Sequence, residues 1–437
     1  MTSDKSPTLA SPHWRNWSGN QQSVAVDVVA PGSVDEVAAL VKQAADTGRK
    51  VKAVGSGHSF TDIAVANDQR LFLHRLGGLI AVNGNLVTVE AGMPLYRLNE
   101  LLTEHGLAMP NLGDIDRQTV AGAISTGTHG SGQAHSTLAS CVEAVTLVTG
   151  AGAVLHVDSS SELFPAVRLG LGALGILVEV TLRCVEAFTL VADERPMRLG
   201  EVLAGLDDQI AGNDHLEFFW YPYTDWAQLK RNNKVSASDR PLSRFRRWLD
   251  DDFIANTMFA GVCRLGRAVP ATVPAINAIS ARALTARTYT DRSDRVLCTQ
   301  RRVRFAEMEY EIPRECLPEV LSALPQLIEK LPFKVQFPVE VRFTGPDDVW
   351  LSHGYGRDSA YIAVHQFNGT PYEPYFRAVE ALCAALGGRP HWGKLHYREA
   401  ESLRAAYPKF GDFLAARDRL DPDRVFANAY LDRVLGA

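Results

Sequence analysis

The chain has 437 residues, of which 46% are hydrophobic and 22% charged, with a formal net charge of −5. That length exceeds one ordinary core and calls for two domains, and the composition is that of a folded protein and not a disordered one. The charge balance, with no dense Lys/Arg run, excludes a nucleic-acid surface.

The six cysteines are scattered without any Cys-x-x-Cys spacing. They offer neither a disulfide framework nor a metal cluster, and point to a reducing, cytoplasmic setting. The opening "MTSDKSPTLASPHWRNW" lacks the apolar segment of a signal peptide. "VRLGLGALGILVEVTLRC", the most apolar long stretch, carries charges and four glycines, so membrane association is expected to be peripheral at most.

In chain order, a polar tail leads to an aromatic strand start. "SVDEVAALVKQAADTG" follows as a helix, capped by Pro31-Gly32-Ser33, with Glu36 at the third helical position and Gly48 at the end. "KVKAV" is a strand that runs into the glycine turn Gly55-Ser56-Gly57, after which His58 is presented. "LVTVEAGMPLYRLNELLTEHG" is a strand and a helix, "TVAGAISTGTHGSG" a small-residue loop, and "CVEAVTLVTGAGAVLHVD" a hairpin around Gly150 to Gly152. "GALGILVEVTLRCV" closes a first α+β unit.

The middle of the chain changes character. "HLEFFWYPYTDWAQLKR" is aromatic-rich, and most of His215, Glu217, Trp220 and Tyr223 are expected to pack in the core. "RPLSRFRRWLDDDF" is expected as a solvated helix, with a basic membrane-surface patch as the alternative, and "RAVPATVPAINAISARALTA" as helical. "RRVRFAEMEYEIP", "KVQFPVEVRFT" and "AYIAVHQF" are strands separated by the helix "ECLPEVLSALPQLIEKL". This half is therefore an antiparallel sheet with helices beside it. The last segment is helix, turn and a tail that packs back on the first domain.

Gly55 to Phe60 is not a dinucleotide fingerprint. The third glycine is missing, no clean helix follows, and no βαβ unit with a ribose-binding acid is evident. Small residues still let backbone N–H groups approach a phosphate or a flat ring. The second loop, Thr119 to Gly132, repeats that chemistry with hydroxyls and bare backbone but no cation.

Chemistry-bearing residues cluster later. Glu340 and Arg342 in "FPVEVRF" share one strand face, with Val339, Val341 and Phe343 on the other. In "YIAVHQF" the same alternation groups Tyr361, Ala363, His365 and Phe367. Pro390 and Gly393 keep "RPHWGKLHY" irregular, which frees His391 and Lys394 to enter a site. Lys394 is a candidate general base if burial and Arg342 lower its pKa. In the alternative, Lys394 binds hydroxyl oxygen or stabilises a bound anion, and Glu340 or Arg342 orients a hydroxyl-bearing ligand.

"VGSGHSF", "TGTHGSG", "GLGALGI", "FPVEVRF", "HWGK" and "LDPDRVFANAY" occur in that order. In this the chain, from Trp14 to its C-terminus, resembles the vanillyl-alcohol-oxidase-type flavoproteins, and among them the aldonolactone oxidases and dehydrogenases; alditol oxidases are close relatives. The resemblance implies an α+β fold: a two-subdomain FAD-binding module of the PCMH type and an α+β cap with an antiparallel sheet. The expected organisation is residues 1–188 for the FAD domain, 189–415 for the cap and 416–437 returning to the FAD domain. It also implies an FAD bonded covalently through its 8α-carbon to His58. Flavin contacts are implied for Gly55, Ser56, Gly57, Ser59, Phe60, Ala123, Thr128, His129, Ser131, Ser136, Ile176 and His391. Catalysis falls to Lys394, Glu340 and Arg342, and substrate contacts to these three and His365. The implied reaction is oxidation of a sugar lactone such as L-gulono- or D-arabinono-1,4-lactone, by hydride transfer to flavin N5, to a keto-lactone that enolises to an ascorbate-type enediol. The alternative is sugar-alcohol oxidation on the same scaffold. O2, a cytochrome or a dye would accept the electrons, and Ala121, Gly122 and Ala123 lie near the region that admits oxygen.

Overall fold

The computed structural model describes residues 11–236 and 241–437. The first ten residues and the start of "RPLSRFRRWLDDDF", Arg240, lie outside the described residues.

The first half is built on two sheets. A parallel sheet has the order Asp27–Val29, Gln69–Leu71, Val51–Ala53. A five-stranded antiparallel sheet has the order Val154–Asp158, Val142–Val148, Ile176–Arg183, Leu86–Glu90, Leu79–Asn83. The helix Val34–Asp46 lies between them, burying Val37, Val41 and Ala44 at helical spacing. Ser33 caps it by accepting from the Glu36 N–H at 3.2 Å, while the Glu36 carboxylate reaches the Gly32 N–H at 2.7 Å. Gly48 follows the helix at φ +66°, a left-handed conformation suited to glycine. A parallel β-α-β crossover is therefore present, contrary to the sequence reading. Its glycine turn follows the second strand and opens no long helix, so the dinucleotide fingerprint is still not formed.

Thr119 to Gly132 also departs from expectation, because its first half is the helix Val120–Ser125. Thr119 caps it by accepting from the Gly122 N–H at 3.1 Å, and Val120, Ala123 and Ile124 are buried.

The second half carries an eight-stranded sheet. Its order is Arg287–Arg292, Thr189–Arg198, Trp226–Val235, His215–Trp220, Val339–Thr344, Ser359–Phe367, Phe305–Pro313, Arg389–Pro390. One face packs Val339, Val341, Phe343, Ile362, Val364, Met308 and Tyr310 against the helices Leu317–Glu329 and Glu373–Ala385. Each such side chain contributes about 1.5–3 kcal/mol when fully buried. The opposite face is free to build a site.

The chain end returns to the first half. Leu403, Tyr407, Phe410 and Phe413 share the core with the five-stranded sheet, and Val425 and Phe426 pack with Val37 and Val51. Asn428 Nδ2 donates to the carbonyls of Asp62, Ile63 and Val65, each at 3.1 Å. No helix among the described residues is long and apolar enough to cross a membrane. The charged segment after residue 240 is helical from Arg244 and passes through a π-helical stretch, Trp248–Met258.

Candidate active site

A cavity of about 3120 Å³ lies between the first half and the open face of the eight-stranded sheet. The glycine turn after Val51–Ala53 forms part of its wall, contributing Gly55, Ser56, Gly57, His58, Ser59 and Phe60. Gly57 sits at φ +72°, and a Cβ there would stand 3.2 Å from the Trp14 ring. The turn is tied from both sides: Trp17 N–H donates to Gly57 O at 2.7 Å, and Phe60 N–H to Gly393 O at 2.7 Å. The His58 ring stacks on Trp17 with centroids 5.8 Å apart. The backbone N–H groups of Gly55, Ser56, Gly57 and Ser59 have no acceptor among the described residues.

The second glycine-rich segment adds Ala121, Gly122, Ser125, Thr126, Thr128 and His129, and Ile176 lies alongside. Three expected flavin contacts do not line this cavity. Ala123 faces the core at 0% exposure, because helical spacing turns it inward with Val120. Ser131 bonds the cap sheet instead, its hydroxyl donating to Leu216 O and accepting from Phe343 N–H at 3.2 Å. Ser136 donates to Asp347 Oδ2 at 2.7 Å. Unsatisfied N–H groups, hydroxyls and small residues along a long cavity are what a pyrophosphate and a flat ring require. The residues present thus fit FAD.

The opposite wall is charged. Glu340, Arg342, His365, His391 and Lys394 all line it, as the sequence suggests. It also carries Glu307 and Glu309, two carboxylates that no local motif in the sequence singles out. The irregular segment holding His391 and Lys394 runs along the strand Phe305–Pro313, with His391 N–H on Glu309 O at 3.0 Å and Leu395 N–H on Glu307 O at 2.9 Å.

Arg342 stands in a row of alternating charges that strand register lays across the sheet: Arg342 opposite Glu217, Glu217 opposite Lys230, Lys230 opposite Glu194, Glu194 opposite Arg287. Arg342 Nε donates to Glu217 Oε2 at 3.1 Å, and its Nη2 contacts both Asp114 and Glu340. Burial alone would lower the Arg342 pKa, but these carboxylates hold it well above the ordinary value. Glu217 is thus a partner of the site and not packing, whereas Trp220 sits in the core and Tyr223 O–H accepts from Val335 N–H at 2.9 Å.

Glu340 and Lys394 differ in charge state from what the sequence suggests. Burial pushes the Glu340 carboxyl up to about 8; Arg342 opposes this, and Asp114 and Glu217 add to it. Although Glu340 Oε1 touches the guanidinium, it accepts no aligned hydrogen bond. Lys394 is a candidate base only if burial and Arg342 lower its pKa. Burial does favour that, yet Glu307, Glu309 and Glu340 outweigh burial and raise its pKa above the ordinary 10.5. Its Nζ lies 2.6 Å from Glu307 Oε2. Burial disfavours the Glu307 carboxylate, but Lys394 and His365 pull its pKa down to about 2. Lys394 is therefore a fixed cation, which supports its anion-binding role over its role as base.

Three histidines gather deeper in. His129 Nδ1 lies 2.9 Å from Gly130 O and its Nε2 3.2 Å from Glu309 Oε1, while its ring stacks on Tyr361 at 3.7 Å. His391 stacks on His353 at 4.8 Å, and its Nδ1 accepts from Gly393 N–H at 3.0 Å. Burial holds His391 well below the usual histidine range, so it stays neutral.

Comparison with known proteins agrees with this geometry. Residues 27–158 match the family described as FAD binding domain, and residues 180–434 match D-arabinono-1,4-lactone oxidase. L-gulono-1,4-lactone dehydrogenase of Mycobacterium tuberculosis is 42% identical, covering 98% of this chain and 100% of its own. L-gulonolactone oxidase of Bos taurus is 33% identical over 96% of this chain and 98% of its own. D-arabinono-1,4-lactone oxidase of Kluyveromyces lactis is 29% identical, covering 91% and 86% respectively. Among solved structures, a solvent-stable cholesterol oxidase superposes with a TM-score of 0.83 at 19% identity over 99% of both chains, which shows the shared fold. The protein binds FAD through its first domain and belongs to the D-arabinono-1,4-lactone oxidase family of oxidoreductases.

Proposed function

We propose that the protein oxidises an aldono-1,4-lactone, of the L-gulono- or D-arabinono- type, at the hydroxyl beside the lactone carbonyl. The product is a keto-lactone that enolises to an ascorbate-type enediol. The observation that carries this reading is the set of buried Glu340, Arg342 and His365 with half-buried Lys394, on a cap that matches the aldonolactone oxidases. A polyhydroxylated ring needs several fixed donors and acceptors on one wall, and these four supply them. Lys394 and Arg342 bind the lactone oxygens and stabilise negative charge as the hydroxyl ionises. Glu340, once ionised, takes the hydroxyl proton. FAD, when bound, supplies the redox chemistry by accepting the two electrons and the remaining hydrogen.

His58 is the residue we propose to bond FAD covalently. Its place in a turn fixed by Gly57 and stacked on Trp17 supports this, since a neutral imidazole held at one edge of the flavin site is a suitable nucleophile. The test uses purified protein under anaerobic conditions. Visible flavin absorbance is expected to bleach with L-gulono-1,4-lactone or D-arabinono-1,4-lactone; bleaching with xylitol or sorbitol alone would replace the lactone by a polyol. Oxygen uptake during turnover separates O2 from a cytochrome or dye as the acceptor.

A further inference from the structure

Glu307 is 6% exposed on the strand Phe305–Pro313, in register with His365 on the next strand. Each of its oxygens faces a different partner. Oε2 lies 2.6 Å from Lys394 Nζ, and Oε1 lies 3.4 Å from His365 Nε2. The same His365 nitrogen is 4.0 Å from Glu340 Oε2, and His365 Nδ1 is buried without a partner among the described residues. Lys394 Nζ is held from another side by the Phe60 ring, 5.1 Å from its centroid. A lysine has a long flexible stem, so an ammonium fixed between a carboxylate and a ring face is fixed by those two contacts.

We propose that Glu307 is a positioning residue for the oxidation: its carboxylate pins the Lys394 ammonium and the His365 Nε2 at the substrate wall, keeping Lys394 a cation and leaving proton acceptance to Glu340. The inference rests on the lactone reading above and deepens it. It also resolves which of two nearby groups is the base. A lysine bonded to a buried carboxylate cannot take a proton, because its ammonium is the form that the carboxylate binds. The charged and titratable groups facing Glu307 are Lys394 from the irregular segment, His365 from the adjacent strand and Glu309 on its own strand, with Glu340 beyond His365.

The experiment compares holoenzyme carrying Glu307→Gln, which keeps the shape and removes the charge, with Glu307→Asp, which keeps the charge on a shorter stem. One readout needs no substrate: acylation of Lys394 by an amine reagent at mildly alkaline pH, followed by peptide mass spectrometry. Glu307→Gln is expected to raise Lys394 labelling several-fold, and Glu307→Asp to return it toward wild type. With the lactone, Glu307→Gln is expected to raise KM about tenfold, as when one charge-assisted hydrogen bond loses its support. Its kcat/KM should also fall at alkaline pH, where wild type does not. Unchanged Lys394 labelling and an unchanged pH profile in Glu307→Gln would overturn the proposal. So would equal loss of kcat in both variants with no shift in profile, since that is the mark of a purely structural residue. If labelling rises as expected but no aldonolactone reduces the wild-type flavin, the Glu307–Lys394 coupling stands and the role assigned to it in lactone oxidation falls.

Discussion

Glu340 makes the oxidation pH-dependent in a way that can be worked out in advance. Its carboxyl is pushed up to about 8 by burial and by Asp114 and Glu217. At pH 7 about one-eleventh of it is ionised and at pH 9 about ten-elevenths, so kcat/KM for the lactone should rise about tenfold over that interval. Steady-state kinetics at constant ionic strength and saturating acceptor measure this, and Glu340→Gln should abolish the rise and slow turnover by about 10²–10⁴-fold. Stability supplies an independent reading. With its folded pKa raised above the ordinary 4.5, Glu340 contributes stability that is full below pH 4.5 and is lost as pH rises through about 8. Relative to wild type, Glu340→Gln should therefore gain thermal stability between pH 5 and pH 9. A wild-type profile flat across this range, or a rise that survives in Glu340→Gln, would refute the assignment of Glu340 as proton acceptor.

Three further outcomes follow from the same geometry. Acid-denatured wild-type protein should carry yellow flavin into the precipitate, while His58→Ala should release it to the supernatant; flavin still attached to the variant would end the linkage assignment. Lys394→Met should slow flavin reduction by about 10²-fold or more through loss of a charge on the developing oxyanion, and should also lower the melting temperature, because it leaves the buried Glu307 carboxylate without its cation. Ser131→Ala should keep FAD but lose about 1–2 kcal/mol in denaturant unfolding, because its hydroxyl joins the second loop to Leu216 and Phe343 and does not face the cavity.

Much of this site was legible because its signals are local. Alternation in "FPVEVRF" puts Glu340 and Arg342 on one face whatever strands flank them, and Pro390 and Gly393 announce the irregular path of His391 and Lys394. The helix Val34–Asp46 carries its own cap and its own stop. The helix Val120–Ser125 was hidden because Gly, Ala, Ser and Thr compose loops equally well; Thr119 followed by buried Val120, Ala123 and Ile124 was the available sign. The same helix turns the Ala123 side chain inward, away from the cavity.

Charge states were not legible, because they depend on strand register. Nothing near Lys394 in the chain shows that Glu307 will meet it, and nothing near Arg342 shows that Glu217 and Asp114 will surround it. The overlooked signal was in "FAEMEYEIP", where Glu307, Glu309 and Glu311 alternate with Met308, Tyr310 and Ile312. A carboxylate at every second place of a strand buried on both faces has to meet cations or hydrogen-bonding partners, and here Lys394, the His129 ring and Arg357 answer it.

The most direct test of the central claim is anaerobic mixing of the holoenzyme with L-gulono-1,4-lactone or D-arabinono-1,4-lactone, followed through the flavin spectrum. The account predicts stoichiometric bleaching by at least one of them and an enediol product that reduces a dye. A flavin that stays oxidised with both lactones, in a protein that retains FAD and its fold, would contradict it.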